Sequence, residues 1–310
     1  LLWQLNGEWQ MKPDLNASFT INGTNGPRTS LRGVPVEALF DQAVSWVADV
    51  VKREEAPGLI VGISGTDSIL SYIVCLEAFK RLGKPLTNVR GVNFQHKTQD
   101  HFVEMDKPFV CMQSEDTEWV AREIFPWLKS LYPEARLEVD ASIPHSKDGA
   151  RWGNIHDKAK EEVNGRGDLV GTYYFPVGTR NATENAIGGY TLITSAVSLF
   201  PIKHIYKTEV VDLCRHLGVP EIAIEKSQEI DCDCGRFEVQ AHNMRELDMF
   251  IMAKRGLIDK SRLDTIDSET LRNVRAFYFE EHAINEFKER TPYSQPDEAA
   301  EARTPAAPQP

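Results

Sequence analysis

Residues 58–83 read GLIVGISGTDSILSYIVCLEAFKRLG. Gly58 to Ile63 is a short, continuously apolar run, which suits a parallel strand covered on both faces. Ser64-Gly65-Thr66-Asp67-Ser68 is a turn of small and polar residues. From Ser68 a helix-like pattern runs to Gly83, with Pro85 just beyond, the usual way a helix ends. Strand, small-residue turn and helix is an order in which proteins hold phosphates. Backbone N–H groups approach the anion closely, and the helix presents its positive end. Ser64, Thr66 and Ser68 offer hydroxyl donors. Asp67 repels a phosphate, and a carboxylate in that place points to a bridging Mg2+ ion. The same residues also suit a plain strand–turn–helix in which Asp67 and Ser68 are caps. The stretch is neither a Walker-A loop nor a dinucleotide fingerprint.

The alternation continues on both sides. Val36, Leu39, Phe40, Ala43, Val44, Val47, Val50 and Val51 recur at the helical period after Pro35. Val89 to Phe94 reads as a strand. Residues 114–131 read as a helix that Pro126 should kink. Leu137, Val139, Ala141 and Ile143 alternate as a strand, 154–163 reads as a helix, 169–177 as a strand and 208–217 as a helix ending in Gly218-Val219-Pro220. Strands alternating with helices predict an α/β fold: a doubly wound, mostly parallel sheet flanked by helices. Ligands of such sheets sit at the carboxyl ends of strands, where Ser64 to Ser68 would lie. Residues 1–33, rich in Asn, Thr and Gly, read as an N-terminal extension with turns. Residues 34–290 read as the domain, and 291–310, rich in Pro, Ala and charge, as a disordered tail.

The chain of 310 residues is 41% hydrophobic and 26% charged, with a formal net charge of −11. An acidic surface argues against nucleic acid as the main partner, while leaving room for a local basic pocket. No apolar run approaches the roughly 20 residues of a membrane helix. The opening LLWQLNGEWQ has neither a basic flank nor a long apolar core, so no signal peptide is expected. Five cysteines, an odd number, do not suggest a disulfide scaffold, and a reducing cytoplasm is the expected setting.

Two further stretches bear on the chemistry. PVGTRNATENAIGGY runs from Pro176 to Tyr190, and PIKHIYKTEVVDLCRHLGVPEIAIEKSQEID from Pro201 to Asp231. They contribute Glu184, a second carboxylate suited to a metal, and Lys207, a cation suited to phosphate oxygens. Singly, each also reads as a solvated surface residue.

GISGTDSIL resembles the pyrophosphate-binding loop, Ser-Gly-Gly-X-Asp-Ser, of the N-type ATP pyrophosphatases (PP-loop superfamily), with one glycine deleted. The later stretches look like the NAD synthetase branch of that superfamily. There a Gly-Thr-X-X-X-X-Glu segment precedes Gly-Tyr, and a Pro-Leu-X-X-Leu-Tyr-Lys-Thr segment enters a helix ending Leu-Gly-Val-Pro. Here these are Gly178-Thr179 with Glu184, Pro201-Ile202, Tyr206-Lys207-Thr208 and Leu217-Gly218-Val219-Pro220. GARWGNIHDKAK, 149–160, sits where those enzymes carry an Asn-Ile-Gln-Ala-Arg helix. The resemblance spans roughly residues 36–255.

The resemblance implies an adenine nucleotide alpha-hydrolase-like fold and assigns roles. Gly62, Ser64, Gly65, Thr66 and Ser68 would cradle ATP phosphates. Asp67 and Glu184 would hold Mg2+. Thr179 would touch the nucleotide, and Lys207 and Thr208 would face phosphate. Asp67, Lys207 and Asp231 would be catalytic, the last in the family's mobile loop over the site. The implied reaction is ATP-dependent adenylation of a carboxylate, that of deamido-NAD, followed by attack of ammonia to form an amide. AMP and pyrophosphate leave. The residues ahead of Val36 are too few for a glutamine-hydrolysing domain, so free ammonia is expected. A homodimer is implied, with the helices after residue 240 as candidate contacts.

Three departures from the family pattern keep other readings open. The loop is one residue short. Tyr190-Thr191-Leu192-Ile193-Thr194 stands where the family has Thr-Lys-Tyr-Gly-Asp after Gly-Tyr, so the lysine and aspartate are absent. Expected arginines fall at Asn93 and at Lys158 or Ala159. The alternatives are a PP-loop enzyme that adenylates a different substrate, such as another amide ligase or a sulfurtransferase, and a degenerate nucleotide-binding protein. Cys232 and Cys234 could bind a soft metal with Cys214 and His242, carry sulfur, or be plain reduced cysteines. His156, beside Asn154-Ile155, reads either as a surface histidine or as a substrate contact.

Overall fold

The computed structural model describes residues 2–5, 8–11, 29–95, 118–141, 148–164, 173–228 and 243–289. The stretch 58–83 forms strand β3 (Leu59–Gly62) and helix α2 (Thr66–Arg81). Around it stand β4 (Val89–Phe94), β5 (Arg136–Asp140) and β6 (Phe175–Val177). The four form one parallel sheet in the order β5-β4-β3-β6. From β3 the chain winds outward through β4 to β5, then returns to lay β6 on the other side of β3. That reversal opens a crevice beyond the carboxyl ends of β3 and β6.

Alternation along β3 explains why both faces are covered. Leu59 and Val61 point into the larger apolar cluster, built with α1 (Val36–Arg53), α2, α3 (Phe125–Leu131), α6 (Lys207–His216) and α7 (Glu221–Gln228). Ile60 points the opposite way, joining Val92, Phe94 and Tyr174 against Ile155 and Ala159 of α4 (Asp148–Asn164). A third cluster joins α5 (Ala182–Ile187), α8 (Met244–Lys254) and α9 (Ser268–Glu289) through Ile187, Leu247, Ile251, Val274 and Tyr278. Residues 2–5 and 8–11 pair antiparallel as β1 and β2, a sheet of their own.

The expected α/β class and parallel sheet are what the structure has. Boundaries differ for local reasons. α2 begins at Thr66, two residues before the expected start, because Gly65 takes the extended N-cap conformation. Pro126 has no N–H to give, and the helix ahead of it loosens into a π turn over Val120–Ile124, where Phe125 N–H reaches Val120 O. The strand expected over 169–177 is described only at Phe175–Val177. Within the expected extension, Leu31 packs on the third cluster, and Arg32 forks onto the buried Glu209 at 2.8 and 2.7 Å.

Two expected arginine positions serve the frame instead. Asn93 Nδ2 donates to Ile63 O at 2.9 Å, tying β4 to the end of β3. Lys158 pairs with Asp140 at 2.9 Å, holding α4 to β5.

Candidate active site

The chain leaves β3 at Gly62, where a Cβ would come within 3.1 Å of the Ile155 side chain, so glycine lets α4 settle onto the strand. The turn that follows is held from inside. Ser64 and Gly65 both donate their N–H to Ser68 Oγ, at 2.8 and 3.0 Å, and that hydroxyl donates to Gly65 O at 2.8 Å. Ser68 therefore acts as a clamp on its own loop and is almost fully buried. Gly65 has no side chain to cap the helix, so the first-turn amides of α2 face the crevice as an anion-binding end. Ser64 is exposed at that mouth.

Lys207, at the start of α6, reaches across to this turn. Its Nζ donates to Thr66 Oγ1 at 2.9 Å and pairs with Asp67 Oδ2. The other oxygen of Asp67 accepts from Asn181 Nδ2 at 2.8 Å. Asn181 also caps α5: its Oδ1 accepts from Glu184 N–H at 2.9 Å, while its own N–H donates to Glu184 Oε2 at 3.4 Å. Asn181 thus sits between the two carboxylates expected to hold a metal. Burial works against the charge on Lys207, but Asp67 and Glu184 outweigh it and hold its pKa above the ordinary value.

Behind Lys207 lies a fully buried carboxylate, Asp248 of α8. Its Oδ2 accepts from Thr208 N–H and Oγ1 at 2.9 and 2.7 Å, and its Oδ1 from Thr183 Oγ1 at 2.6 Å. Thr183 Oγ1 in turn accepts from Lys207 N–H at 2.9 Å. The carboxylate fastens the N-terminus of α6, where a negative charge is favoured, and so fixes where Lys207 starts. Burial pushes Asp248 up to about 6, against the lowering effect of the Thr183 and Thr208 hydrogen bonds.

The structure brings Thr66, Asp67, Asn181, Glu184 and Lys207 together. Thr179 is half-buried in the loop between β6 and α5. Thr208, expected to face phosphate, directs both its donors to Asp248 instead. Asp231, Cys232, Cys234 and His242 lie outside the described residues. Cys214 is buried, donates to Thr66 O at 3.7 Å, and burial pushes its thiol up, which makes it a packing residue. His156 has both ring nitrogens engaged, with Tyr173 Oη at 2.9 Å and Ala196 O at 2.7 Å. A carbonyl accepts only, so Nε2 carries the proton and Nδ1 accepts from the tyrosine.

Sequence reasoning missed Asn181 and Asp248. The first stood inside an unread part of its motif. The second had a signal: a lone carboxylate in the apolar run Leu247 to Ala253 of a helix.

Among the described residues, no three His, Cys, Asp or Glu side chains gather as an all-protein metal site. Chemically, the crevice offers a helix N-terminus, an ammonium and two hard carboxylates. That set stabilises polyphosphate charge and supplies no protein nucleophile.

Comparison with known proteins gives the family. A family model described as NAD synthase matches residues 39–292. The NH3-dependent NAD+ synthetase of Thermotoga neapolitana is 25% identical over 281 residues, which cover 80% of this chain and 94% of that protein. Its counterpart from Methanosarcina acetivorans is 31% identical over 206 residues, 60% of this chain and 71% of that one. Among solved structures, the NMN synthetase of Francisella tularensis superposes with a TM-score of 0.54 at 14% identity, covering 84% of this chain and 99% of that one. The NH3-dependent NAD synthetase of Campylobacter jejuni gives 0.51 at 16% identity, with the same coverage. At such identities the solved structures speak to the fold.

Proposed function

The chain belongs to the NAD synthase family, and from that premise we propose how it works as an ammonia-dependent NAD synthetase. It converts the carboxylate of deamido-NAD to an amide at the expense of ATP. A carboxylate is a poor electrophile, because oxide would have to leave. One carboxylate oxygen attacks the α-phosphorus of ATP, the Pα–O–Pβ bond breaks, and pyrophosphate departs. Ammonia then adds to the acyl-adenylate carbon, a proton is lost, and AMP leaves in place of oxide.

The observation that carries this reading is the meeting of Lys207 and Asn181 on Asp67 at the start of α2. Pyrophosphate gains negative charge as it leaves, and Lys207 and the first-turn amides of α2 are already oriented to receive it. Asn181 fixes Asp67 while Lys207 stays charged beside it. Two carboxylates with hard oxygens fit Mg2+, which binds through one or two such groups plus phosphate oxygens. Asp67 and Glu184 would hold that ion, and it would neutralise phosphate charge.

A homodimer is favoured by Phe279, Ile284 and Phe287, which expose apolar surface on α9. A cytoplasmic setting suits Cys75 and Cys214 as free thiols. No helix among the described residues is long and apolar enough to cross a membrane.

The test is a product assay with ATP, Mg2+, ammonia and deamido-NAD. NAD and AMP are expected in equal amounts. Pyrophosphate exchange that runs with another acid and ignores deamido-NAD would overturn the reading in favour of a different substrate.

A further inference from the structure

Among the described residues, Arg180 is a buried cation without a carboxylate partner. It follows Thr179 in the loop after β6 and is 6% exposed. Its guanidinium carbon lies 3.2 Å from the centroid of the Tyr190 ring and 4.9 Å from that of Phe200. Nη2 donates to Thr194 Oγ1 at 2.8 Å and to Ser195 Oγ at 2.9 Å. Nε is buried and has no acceptor. Two other arginines drawn into the body are treated differently. Arg90 forks onto Glu138 at 2.8 and 2.6 Å, and Arg32 forks onto Glu209.

Burying a cation is costly unless an anion or a full set of acceptors answers it. Two neutral hydroxyls and two ring faces answer Arg180 only in part. Burial pulls its pKa below the ordinary value, while Tyr190 and Glu184 pull the other way. The surroundings nonetheless hold the group rigidly. Lys288 Nζ donates to Gly188 O at 2.9 Å and Tyr190 O at 2.7 Å, which pins the ring under the guanidinium. Gly178, where a Cβ would sit 2.2 Å from the Phe200 ring, lets that ring close over the loop. Above the guanidinium lies the short turn Leu192–Ser195, whose Leu192 and Ile193 are exposed. Its two hydroxyls are the groups an incoming anion has to displace.

Position supplies the rest. Arg180 is bonded directly to Asn181, which holds Asp67 in the nucleotide loop. Glu184, whose N–H donates to Asn181 Oδ1, also acts electrostatically on Arg180, so the guanidinium stands on the side of the crevice carboxylates. We propose that Arg180 receives the carboxylate of the acid substrate, exchanging the Thr194 and Ser195 hydroxyls for it. Planar guanidinium and planar carboxylate match donor for acceptor. The fork takes one lone pair from each carboxylate oxygen, and a second lone pair on either oxygen is left to attack ATP. Arg180 is then the residue that separates the acid substrate from its amide product, which cannot make a charged pair. The inference rests on the ligase reading above.

The experiment compares wild type with Arg180→Gln, Arg180→Lys and the double variant Thr194→Val/Ser195→Ala. Readouts are KM for deamido-NAD, KM for ATP, and calorimetric affinities for deamido-NAD and for NAD. Circular dichroism checks folding. In Arg180→Gln, KM for deamido-NAD should rise by at least about tenfold, the loss of one charged hydrogen-bonded pair, with KM for ATP unchanged. The preference for acid over amide should vanish. Arg180→Lys keeps the charge without the fork and should fall between. The double variant should bind the acid as well as wild type or better. Equal weakening toward acid and amide would place another oxyanion of the substrate at Arg180 and overturn the inference. A double variant that copies the Arg180→Gln defect would make the arginine a mere strut for the turn and overturn it as well. An inactive wild type would instead count against the ligase reading.

Discussion

Lys207 and Asp67 stand 140 positions apart in the chain and form an ion pair at the first turn of α2. The pair ties the start of α6 to the start of α2.

Replacing Lys207 with Met should cut ATP–pyrophosphate exchange by about 10²–10³-fold, the usual loss when one preorganised charge leaves a site. Asp67 would lose its partner at a mostly buried position, so stability should also fall, by about 1–3 kcal/mol. Exchange assays beside chemical denaturation check both. Exchange at the wild-type rate would remove Lys207 from the chemistry.

Asn181 has two tasks that one substitution separates. Asn181→Ser keeps a capping oxygen for α5 but cannot reach Asp67. Stability should stay within about 0.5 kcal/mol of wild type, since both residues cap well. Exchange should nevertheless drop by about tenfold as Asp67 loses its orientation. Parallel losses in both quantities would reduce Asn181 to a cap.

Asp248 gives a pH signature. Burial raises its folded pKa to about 6, above the ordinary 3.8. The folded state therefore binds the proton more tightly than the unfolded one. This group's contribution is fully present below about pH 4 and is lost as pH rises through about 6, by an amount on the order of 2–3 kcal/mol. Asp248→Asn should flatten that part of the stability–pH curve and loosen the start of α6. Urea denaturation between pH 4 and 7 is the measurement. An unchanged slope would mean that Asp248 does not titrate in this range.

Gly178→Ala should be disruptive for a steric reason. The added methyl would lie 2.2 Å from Phe200 Cε1 and 2.9 Å from Val197 Cγ2. Overpacking of this kind costs about 1–3 kcal/mol. The Phe200 ring must move off Arg180, so the thermal melt should shift down and acid binding should weaken with it.

The sequence carried the frame because its signals were local. The apolar run Leu59–Val61 suits a covered strand, and the spacing of Val36, Leu39, Ala43 and Val47 suits one face of a helix. It singled out Asp67, Glu184 and Lys207 by residue type, spacing and family resemblance, and the fold brings the three together. Ser68 was harder. Its hydroxyl reads as a phosphate donor or a cap from sequence, and only coordinates show it turned back onto two amides of its own loop. Asn181 and Asp248 were harder for a different reason, although the apolar run around Asp248 already marks it as buried. Their roles consist of partners 114 and 40 or 65 residues away. Such pairings are fixed by packing, not by neighbours in the chain.

Those separations bear on how the protein is made. Synthesis proceeds at about 5–20 residues per second, so Lys207 leaves the ribosome on the order of 10 s after Asp67. Until then the nucleotide loop has its carboxylate but no counter-charge, and the turn of α6 that carries Lys207 still waits for Asp248. A chain that ends before Lys207 can form the strand, the turn and the helix of residues 58–83, yet it presents Asp67 without that ammonium.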